Sequence, residues 1–295
     1  MIQHSLSGGD LEMINYSSLE NTDIEILYGT FINAFSDYQV KMDLPFQKFH
    51  QMLLRRGFTS KISMGAFHNE ELVGFILNGF RNWNGVFTAY DTGTGVIEKY
   101  RKQGITSNLI QYTKELLREA EVKQYLLEVI KSNTAALELY KKSGFEIVRE
   151  FECFKIDKSN FIPTSNYKTE HIDKINLIDL EKITDFWDFK PSWQNSTDSI
   201  NAVNTLCYSI VRIDNVMVGY GVIDKITGDI AQIAIHKNHR CKGIGRSIIA
   251  DLIRNTQSNM ISILNVHDQC TSMIKFLHEV GFEHFVGQYE MILHI

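Results

Sequence analysis

Residues 229–253 read DIAQIAIHKNHRCKGIGRSIIADLI, an apolar strand pattern that runs through a basic, glycine-bearing turn into a helix pattern. Ile244, Ile248 and Leu252 recur at helical spacing, which predicts an amphipathic helix with one buried face. The first turn of a helix leaves backbone N–H groups unpaired, and glycine lets an anion approach them without a β-carbon in the way. The stretch therefore predicts a turn at 240–245 that binds phosphate groups.

The same order of elements occurs earlier in the chain. Residues 86–117 read VFTAYDTGTGVIEKYRKQGITSNLIQYTKELL, and each turn is followed by a short apolar strand, a second helix and a Gly-Phe pair. The interval from Arg101 to Gly144 is 43 residues, and the interval from Arg240 to Gly281 is 41. Both glycines follow a helix pattern, which predicts a left-handed helix stop at each. Five ordered elements at nearly equal spacing indicate a duplicated domain.

Each copy has a similar region upstream of its turn. The elements expected there are a first strand near 13–16 and helices at 23–35, 46–55, 179–187 and 199–204. Each region also predicts a β-hairpin, with the polar turns HNEE and DN. The polar stretch at 157–169 is the best linker candidate, so we predict domains over 10–158 and 165–295.

Composition excludes several classes of function. The chain of 295 residues has a net charge of −5 and no basic stripe, so it offers no footprint for nucleic acid. No secretory signal pattern is visible, and no apolar run is long enough to span a bilayer. The four cysteines lack disulfide-framework or metal-ligand spacing, and His236 and His239 form no convincing zinc set. We expect a cytoplasmic protein with reduced thiols and without a metal, nucleic-acid partner or membrane partner.

The two turns carry a recognisable signature. The second turn, R-x-x-G-x-G from Arg240, matches Gln/Arg-x-x-Gly-x-Gly/Ala fully, and the first turn matches from Arg101 until Thr106 replaces the last Gly/Ala. The chain thereby resembles a tandem member of the GNAT superfamily of N-acetyltransferases, in which this signature binds acetyl-CoA. The resemblance implies, in each half, an α/β (α+β) fold with a mixed, mostly antiparallel sheet flanked by helices. It also implies transfer of an acetyl group from acetyl-CoA, as co-substrate, to a primary amine.

The resemblance also implies a set of cofactor-binding positions. They lie in both turns, in the strands before them and, in the first half, at the start of the second helix. In the first half these positions are Val96, Arg101, Lys102, Gln103, Gly104, Ile105, Thr106 and Asn133. In the second half they are Ile235, Arg240, Cys241, Lys242, Gly243, Ile244 and Gly245. The Thr106 hydroxyl could itself donate to a phosphate oxygen, so this departure leaves the first turn able to bind.

Amide formation from a thioester needs a neutral amine and a proton for the departing thiolate, which a tyrosine hydroxyl can supply. The family pattern Asn-x-x-Ala-x-x-x-Tyr-x-x-x-Gly-Phe is matched from Asn133 through Tyr140 to Phe145. By resemblance, Tyr140 is the general acid and Asn133 is a ligand of the pantetheine arm. The structural alternative for Tyr140 is an amphipathic residue at the sheet edge with its hydroxyl in water.

The candidate general base is Glu128, in the apolar strand YLLEVI, where a carboxylate is costly to bury unless it is used or paired. Family members that acetylate protein N-termini carry a glutamate at this place and use it as general base. The structural alternative is that Glu128 faces solvent or pairs with a neighbour such as Lys131. Asp91, on the fourth strand, is a second candidate for the base or for holding a cationic amine.

The second copy departs from the family at all three of these positions. Aligned on the Gly-Phe pairs, Leu277 replaces the tyrosine, Cys270 the asparagine and Asn265 the glutamate. We therefore expect catalysis in the first half, with the second half binding coenzyme A weakly or completing a shared sheet or cleft. Two alternatives stay open: a degenerate acyl-CoA or small-ligand binding or scaffold protein, and a second half that is active alone through a thiol or water.

The acceptor amine cannot be identified from the sequence. Segments 37–54 and 191–204 shape the amine pocket in the family, and here they are aromatic and mixed in charge, with Tyr38, Phe49 and Trp193. They are compatible with a small-molecule or peptide amine substrate. The protein is expected to be a monomer or a homodimer.

Overall fold

The computed structural model describes residues 14–37, 44–164, 166–175, 179, 181 and 183–295. The chain divides into two compact units. Unit 1 comprises the described residues up to Phe49, together with Phe58–Tyr125 and His294–Ile295, and unit 2 comprises His50–Gly57 and Leu126–Leu293. The division into domains over 10–158 and 165–295 was drawn from the repeated pattern and stays a prediction, and its residues 10 and 165 lie outside the described part.

Unit 1 is an antiparallel sheet with helices packed on it. Its strands, paired in chain order, are β1 (Ile14–Ser18), β2 (Met64–His68), β3 (Glu71–Trp83) and β4 (Val86–Val96). Its helices are α1 (Ile24–Ala34), the first residues of α2 (Phe46–Arg56), and α3 (Ile105–Glu119). Asn69 and Glu70, with φ of 45° and 70°, make the hairpin turn that the HNEE pattern predicts. The strand expected near 13–16 is β1, although Met13 lies outside the described residues.

The apolar faces of α1 and α3 hold them on this sheet. Leu27 and Phe31 of α1 are buried, as are Leu109 and Leu117 of α3. Phe31 stacks on Phe75 of β3 with the ring centroids 5.6 Å apart. Each such buried side chain contributes roughly 1.5–3 kcal/mol. These contacts fix α3 on the sheet, and with it the turn that joins β4 to α3.

Unit 2 contains most of the remaining elements. Its strands are β6 (Glu146–Asp157), β7 (Glu170–Ile172), β8 (Leu206–Ile213), β9 (Val216–Asp224), β10 (Ile230–Ile235) and β11 (Met260–His267), with all but the first two residues of β5 (Gln124–Ile130) and all but the last residue of β12 (Glu283–His294). Its helices are α4 (Thr134–Lys142), α5 (Thr197–Asn201), α6 (Ile244–Arg254), α7 (Thr271–Glu279) and the end of α2. The helix expected at 179–187 lies partly outside the described residues and ends in a 3-10 turn, Ile183–Phe186. The helix expected at 199–204 is α5, which begins and ends earlier than predicted.

Four strands of unit 2 form an antiparallel sheet in the order β10-β9-β8-β7. Asp214 and Asn215, with φ of 51° and 62°, make the hairpin turn predicted by the DN pattern. Helix α6 lies close against β9, because a β-carbon at Gly221 would come within 2.7 Å of the Ile248 side chain. This close packing places the first turn of α6 beside the end of β10.

The last strands of the two copies are exchanged. Strand β6 pairs antiparallel with β12, where Phe151 faces Gln288, and on its other side with β11, where Phe151 faces His267. Strand β12 in turn lies between β5 and β6. Each copy therefore ends in a strand that pairs with strands of the other copy, which is the shared sheet expected as one role of the second half.

These elements confirm the predicted α/β fold, in which mixed, mostly antiparallel strands are flanked by helices. A parallel bridge between Asp229 and Ser262 makes the strand arrangement mixed. Gly144 and Gly281, with φ of 95° and 97°, follow α4 and α7 as the predicted left-handed helix stops. In the part of the chain that the structure describes, no helix is both long and apolar enough to cross a bilayer.

Candidate functional site

The turn between β10 and α6 has a backbone suited to anions. Cys241 and Gly243 have φ of 57° and 90°, so left-handed residues alternate with others, and such turns direct N–H groups into a concavity. The first hydrogen bond of α6 runs from the Ser247 N–H to the Gly243 carbonyl at 3.1 Å. The amides before Ser247 therefore begin the helix without an intrahelical acceptor.

The turn between β4 and α3 in unit 1 repeats this conformation. Lys102 and Gly104 have φ of 62° and 77°, and the first hydrogen bond of α3 runs from the Asn108 N–H to the Gly104 carbonyl at 3.1 Å. A β-carbon at Gly104 would meet no atom within 4 Å, so glycine is needed for the backbone angle rather than for space. Thr106 lies inside α3 and leaves the turn itself unchanged.

The first arginine of each signature is held by the protein itself. Arg240 donates from Nε to the Ile235 carbonyl at 3.0 Å, from Nη2 to the Phe186 carbonyl at 3.1 Å and from Nη1 to Asp188 at 3.0 Å. In unit 1, Arg101 donates in the same way to the Val96 carbonyl, the Ala34 carbonyl and Asp37. These contacts tie each turn to the strand before it and to the segment upstream. It stays a prediction that a cofactor binds at Val96, Arg101, Ile235 and Arg240.

A cavity of about 510 Å³ opens beside the second turn, within unit 2. Its walls are the apolar strand β10, residues 263–266 of β11, the turn itself and the start of α7. Of the predicted positions in this half, all but Lys242 line it. At its edge the Phe276 ring lies against Gly245, where a β-carbon would come within 2.9 Å of the ring. An elongated ligand with a phosphate group at one end and an apolar portion at the other fits this arrangement.

In the second half, the residues aligned with Tyr140, Glu128 and Asn133 make structural contacts. Leu277 is fully buried. Asn265 is buried in β11 and donates from Nδ2 to the Ser192 hydroxyl at 2.9 Å. Cys270 begins α7 and its thiol lies 3.7 Å from the Ser272 hydroxyl. Neither the leucine nor the amide can exchange a proton with a substrate in the way that tyrosine and glutamate do.

The corresponding residues of the first half lie in unit 2. Tyr140 is on the last turn of α4, largely buried, with its ring packed edge-on against Phe145 at a centroid distance of 5.5 Å. Asn133 caps α4 by accepting a hydrogen bond from the Ala136 N–H at 3.2 Å. This burial of the side chain does not decide between the acid role of Tyr140 and the sheet-edge alternative. Its role as general acid stays a prediction.

Glu128 lies half-buried in β5 and has a partner that the sequence did not indicate. The Nε2 of Gln194 donates to its Oε2 at 3.0 Å. The Lys131 ammonium, the alternative partner weighed above, lies 2.9 Å from Glu150 and 2.8 Å from Glu152. Gln194 is 66 residues from Glu128 in the sequence, and no motif pointed to it.

The remaining candidates that the structure describes are all buried. The Asp91 carboxylate accepts hydrogen bonds from the Gly93 N–H at 2.9 Å and the Thr94 hydroxyl at 2.6 Å, both on its own strand. Phe49 and Trp193, from the segments at 37–54 and 191–204, are fully buried and belong to the core. Tyr38 lies outside the described residues.

The predicted site residues thus fall into separate groups. Val96 and the turn at 101–106 lie in unit 1, whereas Glu128, Asn133 and Tyr140 lie in unit 2. In unit 2, Ile235 and the turn at 240–245 lie together at the cavity. Among the described residues, no group of three or more His, Cys, Asp or Glu side chains is placed to hold a metal ion.

Comparison with known proteins gives one family for both halves. The model of the acetyltransferase (GNAT) family matches residues 25–145 and 173–282. An N-alpha-acetyltransferase of Sulfurisphaera tokodaii is 33% identical over 96 residues, which are 30% of this chain and 58% of that protein. The chain spans 23% and 58% of the lengths of the curated relatives it matches, less than two thirds of either.

Two solved structures are similar over nearly the whole chain. A GCN5-related N-acetyltransferase from Sphaerobacter thermophilus has a TM-score of 0.71 at 13% identity, covering 95% of both chains. A tandem GNAT protein from the clavulanic acid biosynthesis pathway has a TM-score of 0.69 at 13% identity, covering 96% of this chain and 98% of that one. At such identities the likeness concerns the fold.

Proposed function

Because this chain belongs to the acetyltransferase (GNAT) family, we propose that it transfers the acetyl group of acetyl-CoA to a primary amine. The products are an acetamide and free coenzyme A. The observation that carries this proposal is the pair of matching turns, each with alternating left-handed residues and unpaired amides at a helix start. In the second half the turn opens onto a cavity of about 510 Å³ with apolar walls.

The chemistry is assigned to the first half. The amine nitrogen bonds to the thioester carbonyl carbon and the carbon–sulfur bond breaks. Glu128 accepts the proton that the amine loses, and the Tyr140 hydroxyl gives a proton to the departing thiolate. Solvent then returns the proton from Glu128 to Tyr140.

The second half supports a different role in the same molecule. With Leu277 and Asn265 at the acid and base positions, its cavity retains the features for binding coenzyme A without those for proton transfer. We therefore propose that the second half binds an acyl-CoA without turning it over. If the first half is degenerate too, the whole protein is an acyl-CoA binding module, which is the second candidate function.

The acceptor amine, the cellular location and the oligomeric state are also proposals. The name of the Sulfurisphaera tokodaii relative points to α-amino groups, so a peptide N-terminus belongs among the candidate acceptors, beside aminoglycosides, polyamines and amino acids. The four free cysteines are consistent with a cytoplasmic location. Neither a nucleic acid nor a membrane is proposed as a partner, and the protein is proposed to be a monomer or homodimer.

A thiol-release assay with acetyl-CoA and a panel of these four amine classes tests the function. We expect amine-dependent release of coenzyme A, and isothermal titration should give two binding sites for acetyl-CoA per chain. Titration with two sites but no release with any amine would favour the binding module. No binding at all would overturn both candidate functions.

A further inference from the structure

Gln194 connects the candidate base with a partly buried cation, the guanidinium of Arg56. It lies in a short 3-10 turn, Trp193–Asn195, and is only 6% exposed. Its Nε2 donates to the Oε2 of Glu128 at 3.0 Å, and its Oε1 accepts from the Nη2 of Arg56 at 2.8 Å. The side chain therefore bridges a guanidinium and a carboxylate.

This bridge fixes which end of the amide faces Glu128. A guanidinium can only donate hydrogen bonds, so the amide oxygen must face Arg56. The amide nitrogen must then face Glu128, where it needs an acceptor oxygen. A flipped amide would set nitrogen against the guanidinium and oxygen against the carboxylate, and both contacts would be lost.

The backbone that carries Gln194 is held as firmly as its side chain. Trp193 is fully buried and donates from Nε1 to the Arg56 carbonyl at 2.9 Å. Arg55 donates from Nε to the Gln194 carbonyl at 2.9 Å and forms an ion pair with Asp229 at 2.6 Å. Arg55 and Asp229 are largely buried, so water screens this pair little. The turn thus presents Gln194 to Glu128 in one position.

We propose that Gln194, supplied by the second half of the chain, is the positioning residue for the general base Glu128. Donation to a carboxylate oxygen stabilises the ionised form, which is the form that accepts a proton from the amine. Arg56 strengthens the donor by fixing and polarising the amide. The proposal rests on the proposed acetyltransferase function and gives the second half a part in the reaction of the first.

The test is the pH dependence of kcat/KM, measured with acetyl-CoA and whichever amine of the panel reacts best. Gln194→Met keeps the length of the side chain and removes the donor. Gln194→Glu keeps its shape and places a second carboxylate beside Glu128. The matched control is Gln288→Met, since Gln288 is also partly buried in unit 2 and donates to the Cys153 thiol at 3.4 Å.

We expect the acidic limb of the profile to move to higher pH by about one unit in Gln194→Met, the effect of losing a hydrogen bond to a charged group. The shift should be larger in Gln194→Glu, because two neighbouring carboxylates resist ionising together. Gln288→Met should leave the limb in place. A structural defect alone would lower the rate at every pH without moving the limb.

The outcomes distinguish a failure of the positioning role of Gln194 from a failure of the proposed acetyltransferase function. If Glu128→Gln nearly abolishes turnover and both Gln194 variants keep the wild-type limb, the positioning role is overturned and the acetyltransferase proposal stands. If Glu128→Gln retains all the activity, the base assignment and the positioning role fall while the acetyltransferase proposal stands. If the wild-type protein has no activity, both proposals fall. If Gln194→Met does not fold, as judged by circular dichroism, the limb of Gln194→Glu decides.

Discussion

Arg240 and Asp188 form an ion pair of 2.9 Å that ties the turn at 240–245 to the segment before it. Arg101 and Asp37 repeat the pair in unit 1 at 2.6 Å. An arginine that heads a phosphate-binding signature would ordinarily be taken as a phosphate ligand. Here its guanidinium is occupied by a carboxylate and two backbone carbonyls, so it acts as a clamp on the turn.

The ion pair between Arg240 and Asp188 predicts that Asp188 contributes to the binding of acetyl-CoA. If Arg240 positions the turn, Asp188→Asn should weaken acetyl-CoA binding by the second half roughly threefold to tenfold, a loss of about 1 kcal/mol. Trp187 lines the cavity, so quenching of its fluorescence reports on this half, with Trp187→Phe as the blank. Tighter binding would contradict the clamp, because it would mean that removing the carboxylate frees Arg240 for a phosphate.

The contact between Gly245 and Phe276 predicts a compensating pair. In the first half the corresponding residues are Thr106 and Leu139, so the larger residue at the turn accompanies a smaller one on the helix. Gly245→Thr should destabilise the protein by about 1–3 kcal/mol, because the new β-carbon meets the Phe276 ring. Adding Phe276→Leu should recover most of that loss in thermal unfolding. A double variant as unstable as the single one would refute the packing account.

Tyr140→Phe should lower kcat by roughly 10²- to 10⁴-fold, the usual worth of a proton donor. The phenyl ring keeps the edge-on contact with Phe145, so the variant should fold, which circular dichroism checks. Tyr289→Phe serves as control, since it removes a hydroxyl from another partly buried tyrosine of unit 2. Full turnover by Tyr140→Phe would remove the acid assignment.

Stability should depend on pH through two buried thiols. Burial raises the pKa of Cys153 and of Cys207 from 9.0 to about 11. A group whose pKa is raised by folding stabilises the protein fully below the unfolded pKa, and the contribution is lost as the pH rises through the folded pKa. The free energy of unfolding should therefore fall between about pH 9 and pH 11 in urea titrations.

Cys153→Ala should remove about 2 kcal/mol of that fall, whereas Cys241→Ala, at an exposed thiol, should not change it. Parallel curves for wild type and Cys153→Ala would show that this thiol does not contribute.

Much of the fold follows from local patterns in the sequence. The hairpin turns at Asn69 and Asp214 and the helix stops at Gly144 and Gly281 were predicted because each depends on a few neighbouring residues. The partner of β6 was not predictable in the same way. An apolar strand pattern states that a strand is buried, but it does not state which of two equivalent strands lies beside it.

In the candidate site, too, local features could be predicted from the sequence and contacts between distant segments could not. The two glycine-bearing turns were predicted correctly because strand, turn and helix are contiguous in the sequence, whereas their binding of phosphate stays a prediction. The contact between Gln194 and Glu128 was missed because it joins segments 66 residues apart and because a lone glutamine carries no signature. The burial of Trp193 was missed for the related reason that a polar neighbourhood in sequence does not reveal the environment in space.

The exchange of β6 and β12 affects folding during synthesis of the chain. Strand β6 ends at Asp157, and β12 begins only at Glu283, so the first half emerges from the ribosome long before its missing strand. Until then β5 and β6 present open edges, a state in which chains tend to associate wrongly. Dividing the gene at the linker should therefore yield two insoluble fragments that regain solubility when they are synthesised together.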